Sequence, residues 1–327
     1  MKINNYHLST LLIVVIGLFL AYPGSILAQG QSISIYPPVI QTQATPPSSP
    51  TVPIIIQNNN NENITLKIQL IPFKTNGSNG KIILVPEQAE KGFYPYYKNR
   101  IQFLVDGKKT EEVQLQALES KEILLNINLT KGDPPGDFYY SIIFISNDTL
   151  QNESSTSTIP AGIATNLLLS VGPKSQSTGG IVEFSTSAFK SQGPVKFKLR
   201  LHNASQHLIS PTGKIDVQNM FGKKVATINL LPQYVLAGTN RYLLDDGYNP
   251  TAVTSRTTQA DNMPVIVWNE NFLFGWYKAS ASILLEEIDQ PITASTYFFA
   301  FPLYLFFGIV ILLFILISVY LRVKKKI

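Results

Sequence analysis

The clearest constraint on the fold is a period of two. In VKFKLRL, residues 195–201, Val195, Phe197, Leu199 and Leu201 alternate with Lys196, Lys198 and Arg200. ITLKIQL, residues 64–70, repeats the pattern with Ile64, Leu66, Ile68 and Leu70, and EILLNINL at 122–129 keeps Ile123, Leu125, Ile127 and Leu129 in register. Side chains on a strand point to opposite faces in turn, so such runs bury one face and wet the other. That is the habit of antiparallel sheets with one face on a core. QNNNNEN, TNGSNG, DPPGD and FGKK punctuate the strands at short intervals with turn-forming residues. No long part of the body has helical periodicity; VPEQAEKG at 85–92 has room for a turn or two. Many short strands between such turns predict an all-β ectodomain built of sandwiches.

The polar, flexible stretch GPKSQSTGG at 172–180 follows the apolar strand NLLLSV and predicts a domain boundary. We therefore expect two immunoglobulin-like β-sandwiches, 29–173 and 174–292, against the alternative of one large irregular β domain. ITLKIQL and VKFKLRL both stand beside Asn-containing turns, which pairs them as matching strands of the two units. Gly136-Asp137-Phe138-Tyr139 and Gly275-Trp276-Tyr277 place glycine and aromatics at the start of a late strand, the position of a tyrosine corner. The chain has no cysteine, so disulfides and thiolate metal sites are excluded and the cores depend on apolar burial.

The two ends carry different signals. Lys2, the apolar run LLIVVIGLFLA at 11–21, the breakers Pro23 and Gly24 and the small Ala28 form the layout of a secretory signal peptide, 1–28, cleaved after Ala28. An uncleaved N-terminal anchor is the alternative, and the run is short for one. Near the other end, residues 297–321 hold no charge, long enough for a transmembrane α-helix with tyrosines near its two ends. The basic tail 322–327, with Arg322, Lys324, Lys325 and Lys326, is then expected in the cytoplasm by the positive-inside rule. DQPITAST at 289–296 reads as a short stalk. The expected localisation is a single-pass protein of the cytoplasmic membrane with its N-terminus outside. A secreted chain of this size without cysteine points to a prokaryotic cell surface.

Net charge adds nothing to the body. Removing Lys2 and the four basic tail residues from 26 Lys and Arg leaves 21, balanced by 21 Asp and Glu. Nothing is left over to drive phosphate binding, so nucleic acid is not an expected partner.

No constellation for catalysis emerges, and we expect neither an enzyme nor a cofactor. His202 and His207 lie in the polar turn HNASQH, without a marked base–orienter arrangement. Glu111-Glu112 and Glu286-Glu287 are sequence neighbours, which on a strand face apart. Asp245, Asp246 and Asn249 offer oxygens at a spacing that fits no defined Ca²⁺ loop. The candidate recognition segment is FYPYYKNR at 93–100, where Tyr94, Tyr96 and Tyr97 with Lys98 and Arg100 are suited to stack on sugars or anchor a partner. The competing reading places about half of those rings in the sandwich core.

SISIYPPVI at 32–40, the Asn-rich hairpin with ITLKIQL, and NINLTKGDPPGDFYYSIIFIS resemble the first domain of WxL-interacting cell-surface proteins. LLPQYVLAGTNRYL at 230–243 and LFGWYKASASILLEE resemble the last strands of that family's second domain. The resemblance implies a peptidoglycan-binding immunoglobulin-like domain, a second sandwich and a C-terminal membrane helix. It carries over no binding residue, and the chain departs from the pattern around 245–264. The expected function is a membrane-anchored extracytoplasmic binding or adhesion module for cell-wall polymer or another envelope protein, touching membrane lipid through its helix. The alternative is a chaperone-like or assembly subunit that binds an exported partner by β-strand addition.

Overall fold

The computed structural model describes residues 32–85, 95–146, 162–174, 176–247 and 264–324. The signal segment with Ala28, Tyr94, Asn249, and Lys325 and Lys326 lie outside the described residues, as do most of VPEQAEKG and of the 245–264 insert.

The first sandwich opens with β1 (Ile33–Tyr36), β2 (Val39–Ala44), β3 (Thr51–Asn58), β4 (Ile64–Asn76) and β5 (Lys81–Leu84). After a one-turn helix, α1 (Pro95–Lys98), come β6 (Ile101–Val105), β7 (Lys108–Lys109), β8 (Glu112–Leu115), β9 (Ser120–Ile127), β10 (Gly136–Ser146) and β11 (Gly162–Val171). One sheet has the order β1-β3-β9-β6-β7, the other β2-β11-β10-β4-β5, with β8 also on β4. The chain crosses between the sheets at Pro37-Pro38, so that β2 runs parallel to β11. This strand order is immunoglobulin-like.

The second sandwich repeats the plan. Its strands are β12 (Gly179–Ser185), β13 (Phe189–Lys190), β14 (Val195–Asn203), β15 (Thr212–Asn219), β16 (Lys224–Asn229), β17 (Asn240–Tyr242), β18 (Ile266–Trp268), β19 (Gly275–Leu284) and β20 (Ile292–Ala300). β12-β14-β17, with β18 on β14, faces β13-β20-β19-β15-β16. Here β13 runs parallel to β20, as β2 does to β11.

The alternation read from the sequence sets the burial. Ile64, Leu66, Ile68 and Leu70 point into the first core, as do Ile123, Leu125 and Ile127, while Val195, Phe197, Leu199 and Leu201 point into the second. Each sandwich has its own core. Matching the strand orders corrects one correspondence: β14 occupies the place of β3, and the counterpart of β4 is β15.

A third apolar cluster joins the two units, formed by Phe73 and Leu168 of the first with Leu208 and Leu236 of the second. Polar contacts surround it. Asp137 Oδ2 accepts from Leu208 N–H and from the Tyr139 hydroxyl, and Ala237 N–H donates to Tyr139 Oη at 3.2 Å. Tyr242 N–H donates to Ser78 O at 2.7 Å, and Lys174 pairs with Glu286 at 2.9 Å. Tyr139 is thus a docking residue, and no tyrosine corner forms there. The expected motif is met in the second sandwich, where Phe274 N–H donates to Tyr277 Oη at 3.2 Å.

The expected stalk is not a stalk. Residues 292–300 form β20, hydrogen-bonded along its length to β19, with Phe298 and Ala300 buried. The segment expected to span from Tyr297 is divided: 297–300 belong to β20, and the helix α2 (Leu303–Lys324) begins only at Leu303. The misreading has a physical cause: Ala294 and Thr296, small or polar at inward positions, hide the alternation, and YFFA at 297–300 merges with the apolar run behind it. Among the described residues no helix is long and apolar enough to cross a membrane. The backbone of α2 nevertheless runs for 22 residues, about 33 Å at ~1.5 Å per residue.

Candidate functional site

The site grows out of the length of β4. At 13 residues it outlasts its neighbours on one edge: β8 pairs with it at 64–67 and β5 at 73–76. Among the described residues neither strand reaches 69–71. Ile68 N–H donates to Glu111 O at 2.8 Å, and Pro72 O accepts from Val85 N–H at 2.8 Å, which frames the interval at both ends. Leu70 lies midway between Ile68 and Pro72, and strand geometry turns its N–H and C=O toward the same edge.

A cleft of ≈ 760 Å³ opens along this interval. Its floor is residues 68–72; its other wall comes from Lys98, Gln102, Phe103 and the turn at Lys109 to Glu111. The walls mix charge of both signs with apolar surface. Nearby, β5 presents Ile82, Ile83 and Leu84 exposed at the sheet edge.

The predicted recognition residues separate. Tyr97 is 0 % exposed, its ring 4.2 Å from that of Phe138 and its hydroxyl donating to Pro134 O at 2.8 Å. Arg100 pairs at 3.1 Å with Asp133, whose buried carboxylate also accepts from Thr130 N–H and Oγ1. Tyr97 lies in the core of the first sandwich, as the competing reading has it, and Arg100 is engaged with Asp133. Lys98 lines the cleft. Tyr96 lies on α1, and its side chain is outside the described residues. Arg322 sits exposed near the end of α2, and Lys324 is its last residue.

The other polar candidates are structural. His207 is buried, not a surface turn residue, and His202 Nδ1 lies 3.1 Å from Asn240 Oδ1. Asp245 uses its carboxylate on the N–H groups of Gly247 and Val267. Glu286 serves Lys174 and the N–H of Ser210 at the domain junction. Among the described residues no three His, Cys, Asp or Glu stand together as metal ligands would. Sequence reasoning missed the cleft along β4.

Fold and cleft together define a two-sandwich immunoglobulin-like protein with a cleft along β4 of its first unit. No family model and no curated protein matches the chain. Among solved structures, the class 5 fimbriae chaperone CfaA is similar at 14 % identity over 81 % of this chain and 99 % of its own, with a TM-score of 0.39. The Salmonella enterica SafA pilin in complex with the SafB chaperone matches at 11 %, 83 % and 97 %, with a TM-score of 0.36. The E. coli chaperone DraB matches at 12 %, 83 % and 98 %, with a TM-score of 0.34. TM-scores below one-half carry no argument about what this chain does.

Proposed function

We propose that the chain is a membrane-anchored, extracytoplasmic binding module that takes an extended segment of another exported protein into the cleft of its first sandwich, without catalysis. Among the described residues, the observation that supports this reading is the cleft along 68–72 of β4, between the stretches paired by β8 and by β5. A segment in strand conformation laid there would meet the N–H and C=O of Leu70 and continue the sheet, with side chains alternating between the cleft and solvent. A wall polysaccharide has no run of backbone amides to extend the ladder of a sheet, and Tyr97, one of the rings expected to stack on sugar, is in the core. The anchor is the uncharged α2 with Arg322, Lys324, Lys325 and Lys326 on the cytoplasmic side. Membership of the WxL-interacting cell-surface family is part of the same proposal.

The test is a photocrosslinking residue at Gln102, inside the cleft, with Lys108 on the exposed β6–β7 turn as the control position. We expect one exported protein to crosslink at Gln102 and not at Lys108, with slowed amide exchange at 69–71 in the complex. Sedimentation with isolated wall material and unchanged exchange at 69–71 would replace the protein partner with a polymer. Protease added to cells lacking an outer membrane should digest the sandwiches and spare a tag placed after Ile327.

A further inference from the structure

The end of the second sandwich nearest α2 is apolar where a free surface would be polar. Register brings three segments to that end: Asn219 pairs with Tyr277, Gly275 with Ala300, and Phe189 with Phe299. Each segment exposes large rings. Phe221, at the tip of the β15–β16 hairpin, is 80 % exposed and Trp276 59 %; Phe189, Phe272 and Phe274 are also exposed. Contiguous exposed apolar groups of this kind mark an interaction surface. The hairpin tip is fixed, since Asn219 Oδ1 accepts from the N–H of Phe221 and of Lys223, both at 3.1 Å. Gly222, at φ +73°, completes the turn in a conformation that other residues rarely adopt.

What covers these rings follows from the link to the helix. Only Phe301 and Pro302 separate β20 from α2, and three Cα steps reach no more than roughly 10 Å. Ring contacts continue across that link, from Phe274 to Phe301 at 5.8 Å and from Phe301 to Phe306 at 5.8 Å. Lys190 and Lys223 lie at the same end, suited to anionic headgroups, while Glu270 is occupied by the N–H groups of Asn271 and Phe272. Amphipathic and aromatic rings prefer the boundary between hydrocarbon and water.

We infer that the α2-proximal end of the second sandwich is seated in the headgroup layer of the bilayer, with Phe221, Phe272, Phe274 and Trp276 as its interfacial contacts. The inference rests on the proposal that α2 spans the membrane. It gives the second sandwich a role of its own: a membrane-docked base that sets the tilt and height of the first.

The absence of cysteine makes the test direct. Full-length Phe221→Cys and, separately, Phe272→Cys are labelled with an environment-sensitive fluorophore and reconstituted into vesicles of phosphatidylcholine and phosphatidylglycerol. Lys108→Cys on the first sandwich is the control. Lipids carrying a quencher near the headgroup should reduce emission at 221 and 272 at least about fivefold more than at 108. Protein that resists alkaline extraction but shows equal quenching at all three sites would overturn the docked base and leave the span intact. Protein that alkali strips from the vesicles would remove the span, and the inference with it.

Discussion

Asn58 and Asn203 make three matching hydrogen bonds in the two sandwiches. Asn58 Nδ2 donates to Glu62 O and Gln116 O, both at 2.8 Å, and its Oδ1 accepts from Asn60 N–H at 3.0 Å. Asn203 Nδ2 donates to His207 O and Val235 O, both at 2.9 Å, and its Oδ1 accepts from Ser205 N–H at 2.9 Å. Both are 0 % exposed, and each ends the strand that holds the corresponding place in its sandwich, β3 and β14. A short amide thus satisfies three backbone groups of a tight connection that no strand could reach. Asn203 is also the acceptor of an Asn-Ala-Ser sequon, and its committed, buried amide makes it no glycan site in the folded chain.

Replacing Asn203 by Asp removes both donors and turns a carboxylate toward two carbonyl oxygens. The second sandwich should lose on the order of 3 kcal/mol, read as a lower midpoint in denaturant. Asn58→Asp should do the same to the first. A loss under about 1 kcal/mol at either site would show that the connections are held by something else.

Arg100 and Tyr97 should behave as scaffold residues. Arg100→Ala leaves the buried Asp133 carboxylate without its cation and should cost on the order of 2 kcal/mol. Tyr97→Phe loses one hydrogen bond, about 1 kcal/mol. Partner affinity, measured on the folded fraction, should stay within about twofold of the parent; a large loss of affinity at unchanged stability would restore both as binding residues.

The domain junction should loosen in alkali. Burial, and next the Asp137 charge, push the Tyr139 hydroxyl above the ordinary tyrosine range. The folded chain therefore holds this proton more tightly than the unfolded chain does. That share of stability is complete below the ordinary tyrosine value of about 10 and fades as pH climbs beyond it. The thermal midpoint of the parent should thus fall more steeply above about pH 10 than that of Tyr139→Phe. Parallel curves would mean that Asp137 and Ala237 do not engage the hydroxyl in solution.

Two neighbours on β14 should differ sharply. Phe197 is fully buried, with ring centroids 6.0 Å from Phe184 and 6.3 Å from Phe298, so Phe197→Asp should cost more than about 3 kcal/mol. Lys196→Asp, on the wet face, should change stability by less than about 0.5 kcal/mol. Similar losses would mean that the strand does not alternate in solution.

The strands that alternate cleanly were legible because water and core impose opposite preferences on successive residues, as at Leu199 and Arg200. β20 was not legible, since its small polar residues and its closing aromatics mimic a stalk leading into a span. The docking of Tyr139 against Ala237 was hidden because a long-range contact leaves no periodicity behind. Tyr97 shows the limit for sites: a tyrosine in a mixed aromatic and basic segment looks the same on paper whether its ring faces a ligand or Phe138. The cleft depends on where β8 and β5 stop along β4, and strand pairing is a property of the folded chain.

The continuity of β20 with α2 fixes how the second sandwich would bear mechanical load. A pull on the first sandwich, with the helix held, enters near Gly179 and leaves through Ala300. β20 lies between β13 and β19, bonded to β19 over residues 292–300, so tension along its axis shears many hydrogen bonds at once and does not open them one after another. Such a strand yields only when the whole row fails together, which makes the chain stiff where β20 passes into α2.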